Sequence, residues 1–157
     1  MVSLREKYPL DAKKPLKKTI VKSFWYVIAI LFLLFIFSFD LGLPKISSYG
    51  LGAILLVVVP IYVYEIFYMK FYFYDLVGKS LVIRKGVFSR SEITLPINRL
   101  QDVYVDQDIL DRIFGLYDVH VSSATSISGR LSHIDGLNKQ NAEPIKKLIL
   151  YNIHRRK

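Results

Sequence analysis

Two long apolar runs fill most of the first seventy positions, and beyond them the pattern changes to alternation of apolar and polar residues. The first run, SFWYVIAILFLLFIFSF from Ser23, has no charged residue. With Ile20 and Val21 it reaches about 20 residues, enough to cross a hydrocarbon core of ~30 Å. The second, YGLGAILLVVVPIYVY followed by Glu65 and IFYM, is as long and carries its one carboxylate near its end. A core helix of a soluble protein keeps a polar stripe at the 3.6-residue period, and neither run has one. A cleaved signal peptide has an apolar part of only about 7–15 residues, with no second run behind it. The pattern therefore predicts a transmembrane helical hairpin over 23–69, a basic segment over 1–22 and one small domain over 70–157. Pro60, inside the second run, removes a backbone hydrogen bond and predicts a kink.

After Lys70 the period is two. Phe71 to Val77, Leu81 to Lys85 and Val87 to Leu95 read as strands broken at Gly78-Lys79 and Gly86. Further alternation around Ile97, over Val103 and Val105, and over Val119 and Val121 adds strands with one apolar face each. Between the last two lies DILDRIFG, a short helix with Asp108 as cap and Gly115 closing its end. Ile109, Leu110, Ile113 and Phe114 are expected to face one way. One more strand is expected over 130–135, and an amphipathic helix capped by Asn141, with Pro144 in its first turn, ends the chain. The fold class is α+β: a two-helix hairpin, then antiparallel strands, then a closing helix.

Charge changes the picture less than its total suggests. Of the net +9, residues 1–22 hold +5, the last three residues +3 and residues 23–69 −1, which leaves the body from Lys70 to His154 only +2. A nucleic-acid reader needs a concentrated basic face, and none is evident there. Lys13, Lys14, Lys17, Lys18 and Lys22 precede the first span, whereas the break from Asp40 to Ser48 has only Lys45. Basic residues stay on the cytoplasmic side, so both termini are expected there, in a cell membrane crossed twice. Lys17, Lys18 and Lys22, with Trp25, Tyr26, Tyr64 and Tyr68, are the expected anchors at the headgroup level, and the lysines can also attract anionic lipid. Cysteine is absent, which removes disulfides, a thiol nucleophile and thiolate metal sites.

The stretch IRKGVFSRSEITLPINRLQDVYVDQDILDRIFGLYDVHVSSA, Ile83 to Ala124, resembles the bacterial PH-domain family of membrane-flanked proteins, the YdbS/YdbT type. The matching positions are Pro96, Arg99, Leu100, Gln101, Asp102, Val103, Phe114, Gly115, Leu116, Ser123 and Ala124. The resemblance implies a PH-like β-barrel or sandwich of about seven antiparallel strands in two roughly orthogonal sheets, with the C-terminal helix plugging one end. It implies no catalytic site. Eukaryotic PH domains that bind phosphoinositides carry a basic cluster between their first two strands. Here that connection is Gly78-Lys79-Ser80, without the cluster.

Two groups of residues are candidates for interaction. Arg84, Lys85 and Arg90 would meet anionic lipid or simply solvate a strand end. Arg99, Gln101 and Asp102 would meet a protein partner, or serve the fold through an Arg99 pair with Asp102 or Asp118. Asp106, Asp108 and Asp111 lack the glycine and glutamate of a calcium loop, and capping explains them better. His120, His133 and His154 fit no metal spacing. Ser122, Ser123 and Ser126 near His120 lack a nucleophile elbow, and the serine-rich loop lacks the lysine of a P-loop. No cofactor is expected. The expected function is a non-enzymatic membrane protein whose PH-like domain serves protein interaction or self-assembly, with itself or a related PH-domain membrane protein. The alternative is an anionic-lipid sensor. Membrane lipids are partners in both.

Overall fold

The computed structural model describes residues 3–41, 43–123 and 132–155, with side chains outside 37–48. The chain forms two compact units, Pro15–Phe67 and Met1–Lys14 with Tyr68–Lys157.

The first unit is helical. Helix α2, Lys14–Leu41, and helix α3, Leu43–Phe71, extend across the expected polar break. Pro44 falls in the first turn of α3, where a missing N–H costs nothing. Helix α3 continues through Pro60. Two segments, Lys14–Ile36 and Tyr49–Phe71, are long and apolar enough to cross a membrane, and only 11% of each apolar window is buried. A soluble core helix would hide that surface, whereas Trp25, Phe32, Phe35 and Leu56 are all exposed. Near one end, Lys22 Nζ lies 2.5 Å from Glu65 Oε1 and 5.2 Å from the Tyr64 ring centroid. The Glu65 carboxylate, buried between apolar turns, is thereby charge-paired.

The second unit begins with a one-turn helix α1, Leu4–Lys7, capped by Ser3 and Glu6. After the hairpin come β1 Phe73–Val77, β2 Ser80–Lys85 and β3 Ser91–Pro96, then a 3-10 turn at Ile97–Arg99 and β4 Leu100–Asp106. Helix α4 Ile109–Phe114, β5 Leu116–Ser123, β6 His133–Asn138 and helix α5 Lys139–His154 complete it. The strands form two antiparallel sheets, β1-β2-β3 and β4-β5-β6. The expectation of a barrel of about seven strands is corrected. Among the described residues there are six strands, and β3 and β4 do not pair, so the sheets stay open. The turn at Ile97–Arg99 carries the chain from one sheet to the other instead of continuing the ladder. Any further strand over 124–131 lies outside the described residues.

Alternation places Leu81, Ile83, Leu95, Val103, Val119, Val121, Ile134 and Leu137 in one core, covered by Ala142, Ile145 and Ile149 of α5. Helix α5 starts earlier than expected. Asn138 caps it by accepting from Asn141 N, which moves Pro144 beyond the first turn. Strand β6 runs His133–Asn138, past the expected end at 135, because Gly136 (φ 78°) sits inside a bulge where the ladder shifts between Tyr117 and Val119; the expected start at 130 lies outside the described residues. On α4 the expected caps are present: Asp108 and Asp111 form a capping box and Gly115 is left-handed. Its apolar residues do not share a fate, since Ile109 and Ile113 are exposed while Leu110 and Phe114 are half-buried.

The basic lead-in is more than a solvated tail. Leu4 and Leu10 belong to the core, Leu4 N donates to Asp75 Oδ1, and Asp11 N donates to Gly136 O. Arg5 Nε reaches Tyr72 O, Tyr74 donates to Tyr8 O, and Asn141 Nδ2 donates to Pro9 O. The segment ahead of the hairpin is thus woven into the domain behind it.

Candidate functional site

Strands β1, β2 and β3 end together where α3 hands over to the sheet. Pairing sets Phe73 opposite Arg84, Arg84 opposite Glu92, and Lys85 opposite Ser91. The loop Gly86–Arg90 closes this end. Gly86 adopts φ 109°, and a Cβ there would sit 1.9 Å from Ser89 O, so only glycine permits the tight loop. These elements enclose a cleft of about 570 Å³ lined by Lys70, Phe71, Phe73, Arg84, Lys85, Gly86, Arg90, Ser91 and Glu92. Four basic residues and one acidic residue are thus among its lining. Arg84 Nε lies 2.6 Å from Glu92 Oε2, an exposed pair that adds little stability but orients the guanidinium. The Arg84 guanidinium stands 5.5 Å from the Phe73 ring and that of Arg90 5.6 Å from the Phe71 ring. Aromatic faces hold flexible cations in place.

Alternation along β2 sends Arg84 outward and Lys85 inward. Lys85 Nζ lies 3.9 Å from Asp135 Oδ1, and Lys14 Nζ lies 3.2 Å from the same oxygen and 3.0 Å from Asp135 O. Both ammonium groups lie over the Tyr72 ring, Lys14 at 4.0 Å and Lys85 at 5.2 Å. The Tyr72 hydroxyl donates to His133 O at 2.8 Å. Burial pushes that phenol well above its usual range, and the charge of Asp135 adds to the rise. Lys14, Lys85 and Asp135 thus meet around this one buried ring. A tetrahedral anion such as a phosphate, which accepts from guanidinium forks, matches the donor set.

Of the sequence candidates, Arg84, Lys85 and Arg90 come together here. Arg99, Gln101 and Asp102 do not: all three are exposed, on the 3-10 turn and at the start of β4. The ladder shifts between Leu100 and Asp102, which leaves Gln101 as the bulged residue. Asp102 Oδ1 accepts from Val103 N, and no ion pair joins Arg99 to Asp102 or Asp118 among the described residues. Of the expected membrane anchors, Trp25 and Tyr26 are exposed, Tyr64, Tyr68 and Lys18 are half-buried, and Lys17 is buried.

Sequence spacing missed Lys14, Tyr72 and Asp135, which converge from three distant stretches. A weak signal existed in Asp135-Gly136, since a glycine beside a carboxylate in a strand marks a close approach. A Cβ at Gly136 would fall within 2.4–2.9 Å of the Lys14 side chain. The structure also brings Asp106, Asp118 and His120 together, with ligand atoms within 4.8 Å of one another. His120 Nε2 lies 3.1 Å from Asp106 Oδ1 and its ring stacks between Tyr104 and His133. Asp118 Oδ1 already accepts from Gly136 N. Those contacts account for the cluster as part of the sheet surface. Ser126 lies outside the described residues.

The loop between β1 and β2, where eukaryotic PH domains place their basic cluster, lies at the other end of this hairpin, at Val77 and Ser80. Comparison of the chain with curated proteins and with solved structures gives no match. The family model for the bacterial PH domain matches residues 20–153, which takes in α2 from Ile20 onward, α3, both sheets and nearly all of α5. With that extent of the chain matched, the protein belongs to the bacterial PH domain family.

Proposed function

We propose that this chain is a two-span membrane protein of YdbS-like arrangement that holds a non-catalytic PH domain against the cytoplasmic face of the cell membrane. There its cleft engages the phosphates of anionic lipid headgroups. The observation that carries this reading is the cleft itself: Arg84, Lys85 and Arg90 converge with Lys70, the penultimate residue of α3. The cations therefore stand where the second span ends. That residues on both sides of the hairpin share one compact unit supports placing both termini on one side of the membrane. The lysines ahead of the first span favour the cytoplasmic side.

The test is lipid retention. Full-length protein purified from mixed phosphatidylcholine and phosphatidylglycerol micelles should retain the anionic lipid several-fold over the neutral one by native mass spectrometry. That preference should fall with salt and with the double variant Arg84→Gln/Arg90→Gln. Equal retention of the two lipids contradicts it.

A second reading, a scaffold for self-assembly or for a related membrane protein, draws on α4, whose Ile109 and Ile113 are 80% and 70% exposed, and on the open sheet edges. Ile113→Cys in this cysteine-free chain should then give disulfide-linked dimers in membranes. Monomer alone under oxidation removes that role for α4.

A further inference from the structure

The loop Gly86–Arg90 carries Phe88 at its tip, 90% exposed. A single exposed apolar side chain on a soluble domain needs no explanation. This one has a location. Segment Tyr49–Phe71 has 23 residues, a rise of about 34 Å, slightly more than the hydrocarbon thickness, so its last residue, Phe71, reaches the headgroup level. The Arg90 guanidinium lies 5.6 Å from the Phe71 ring, which brings the base of the loop beside the end of that segment. Phe88 is two residues from Arg90, on a loop whose shape Gly86 fixes. A largely exposed aromatic ring on a loop that shares its end of the sheet with Arg84, Arg90 and Lys70 has the composition of an interfacial anchor: an apolar body for the acyl boundary and cations for the phosphates.

We infer that Phe88 is a lipid-inserting wedge, seating the β2–β3 loop in the membrane interface while the adjacent cleft holds headgroup phosphate. The inference rests on the reading of the cleft given above and adds a second, apolar contact to it. The occupant is lipid rather than protein because the loop adjoins the end of a span and is bordered by cations.

The test uses the full chain in vesicles, with the native Trp25→Phe change so that a single indole reports. Phe88→Trp should emit at shorter wavelength than an indole in water. Bromines placed near the headgroup end of the acyl chains should quench it several-fold more than they quench Val77→Trp, at the opposite end of the β1–β2 hairpin. Phe88→Cys carrying a polarity-sensitive dye gives a second reporter. Quenching at position 88 only in phosphatidylglycerol-containing vesicles supports wedge and cleft together. Quenching there in neutral vesicles as well, unchanged by Arg84→Gln/Arg90→Gln, supports the wedge and removes the anionic-lipid reading. Water-like emission at position 88 in both vesicles, or equal quenching at 77 and 88, overturns the wedge and leaves the cleft to lipid retention.

Discussion

Tyr72 shows how one side chain joins distant parts of this protein. Its ring receives two ammonium groups and its hydroxyl reaches the first residue of β6. The folded state holds the phenol neutral because burial, then the charge of Asp135, then Tyr68, oppose ionisation. The unfolded chain ionises near pH 10. Above that pH the unfolded state releases a proton that the folded state keeps, so stability is complete below about pH 10 and falls as pH rises further. Tyr74, likewise raised by burial against the opposing influence of Arg5, acts in the same direction. Thermal unfolding in detergent should show this alkaline loss. Tyr72→Phe should lower stability by about 1 kcal/mol at neutral pH through the lost hydrogen bond, and it should flatten the decline above pH 10. An unchanged alkaline slope would contradict the burial argument. Lys14→Met should cost about 3 kcal/mol in the same experiment, because it leaves the Asp135 carboxylate with a weaker partner. A melt like the wild type would show that the Lys14 contact adds nothing.

At the scale of elements, the β2–β3 loop concentrates the functional argument. Gly86→Ala places a Cβ against Ser89 O in a left-handed backbone region, so the loop must change shape. The expected outcome is loss of bromolipid quenching at Phe88→Trp with the melting temperature nearly retained, since the loop contributes little to the core. Retained quenching would show that the glycine is dispensable.

The elements also show what could be read in advance. The two long apolar helices, α4 and its caps, and the strand alternation followed from local pattern, since each depends on neighbours within a few residues. Arg84, Lys85 and Arg90 were legible as candidates because they sit on one hairpin. Lys70 was not, since its partnership with them comes from the way α3 meets β1. The Lys14–Asp135 pair spans 121 residues, and no period or spacing encodes such a contact. The open pair of sheets escaped for a similar reason: the apolar faces of β3 and β4 are legible, but whether those strands pair is settled by the turn at Ile97–Arg99. The start of α5 moved because Asn138 and Asn141 can both cap, and Asn141 instead holds Pro9.

At the scale of the whole chain, residues from before and after the helical unit build one domain. Leu4 and Leu10 enter the core from before the hairpin, and the sheets supply the rest from after it. The chain of that domain is interrupted by the helical unit between two points, Lys14 and Tyr68. On the function proposed above, the cations near the second of these points would meet lipid headgroups without further search, so even modest affinity per contact would suffice. Hydrogen exchange on full-length protein in lipid nanodiscs tests this most directly. Relative to discs of phosphatidylcholine alone, discs containing phosphatidylglycerol should slow exchange over residues 84–92, reversibly with salt, and leave the Val77–Ser80 turn unchanged. Identical exchange over 84–92 in the two kinds of disc would contradict the account.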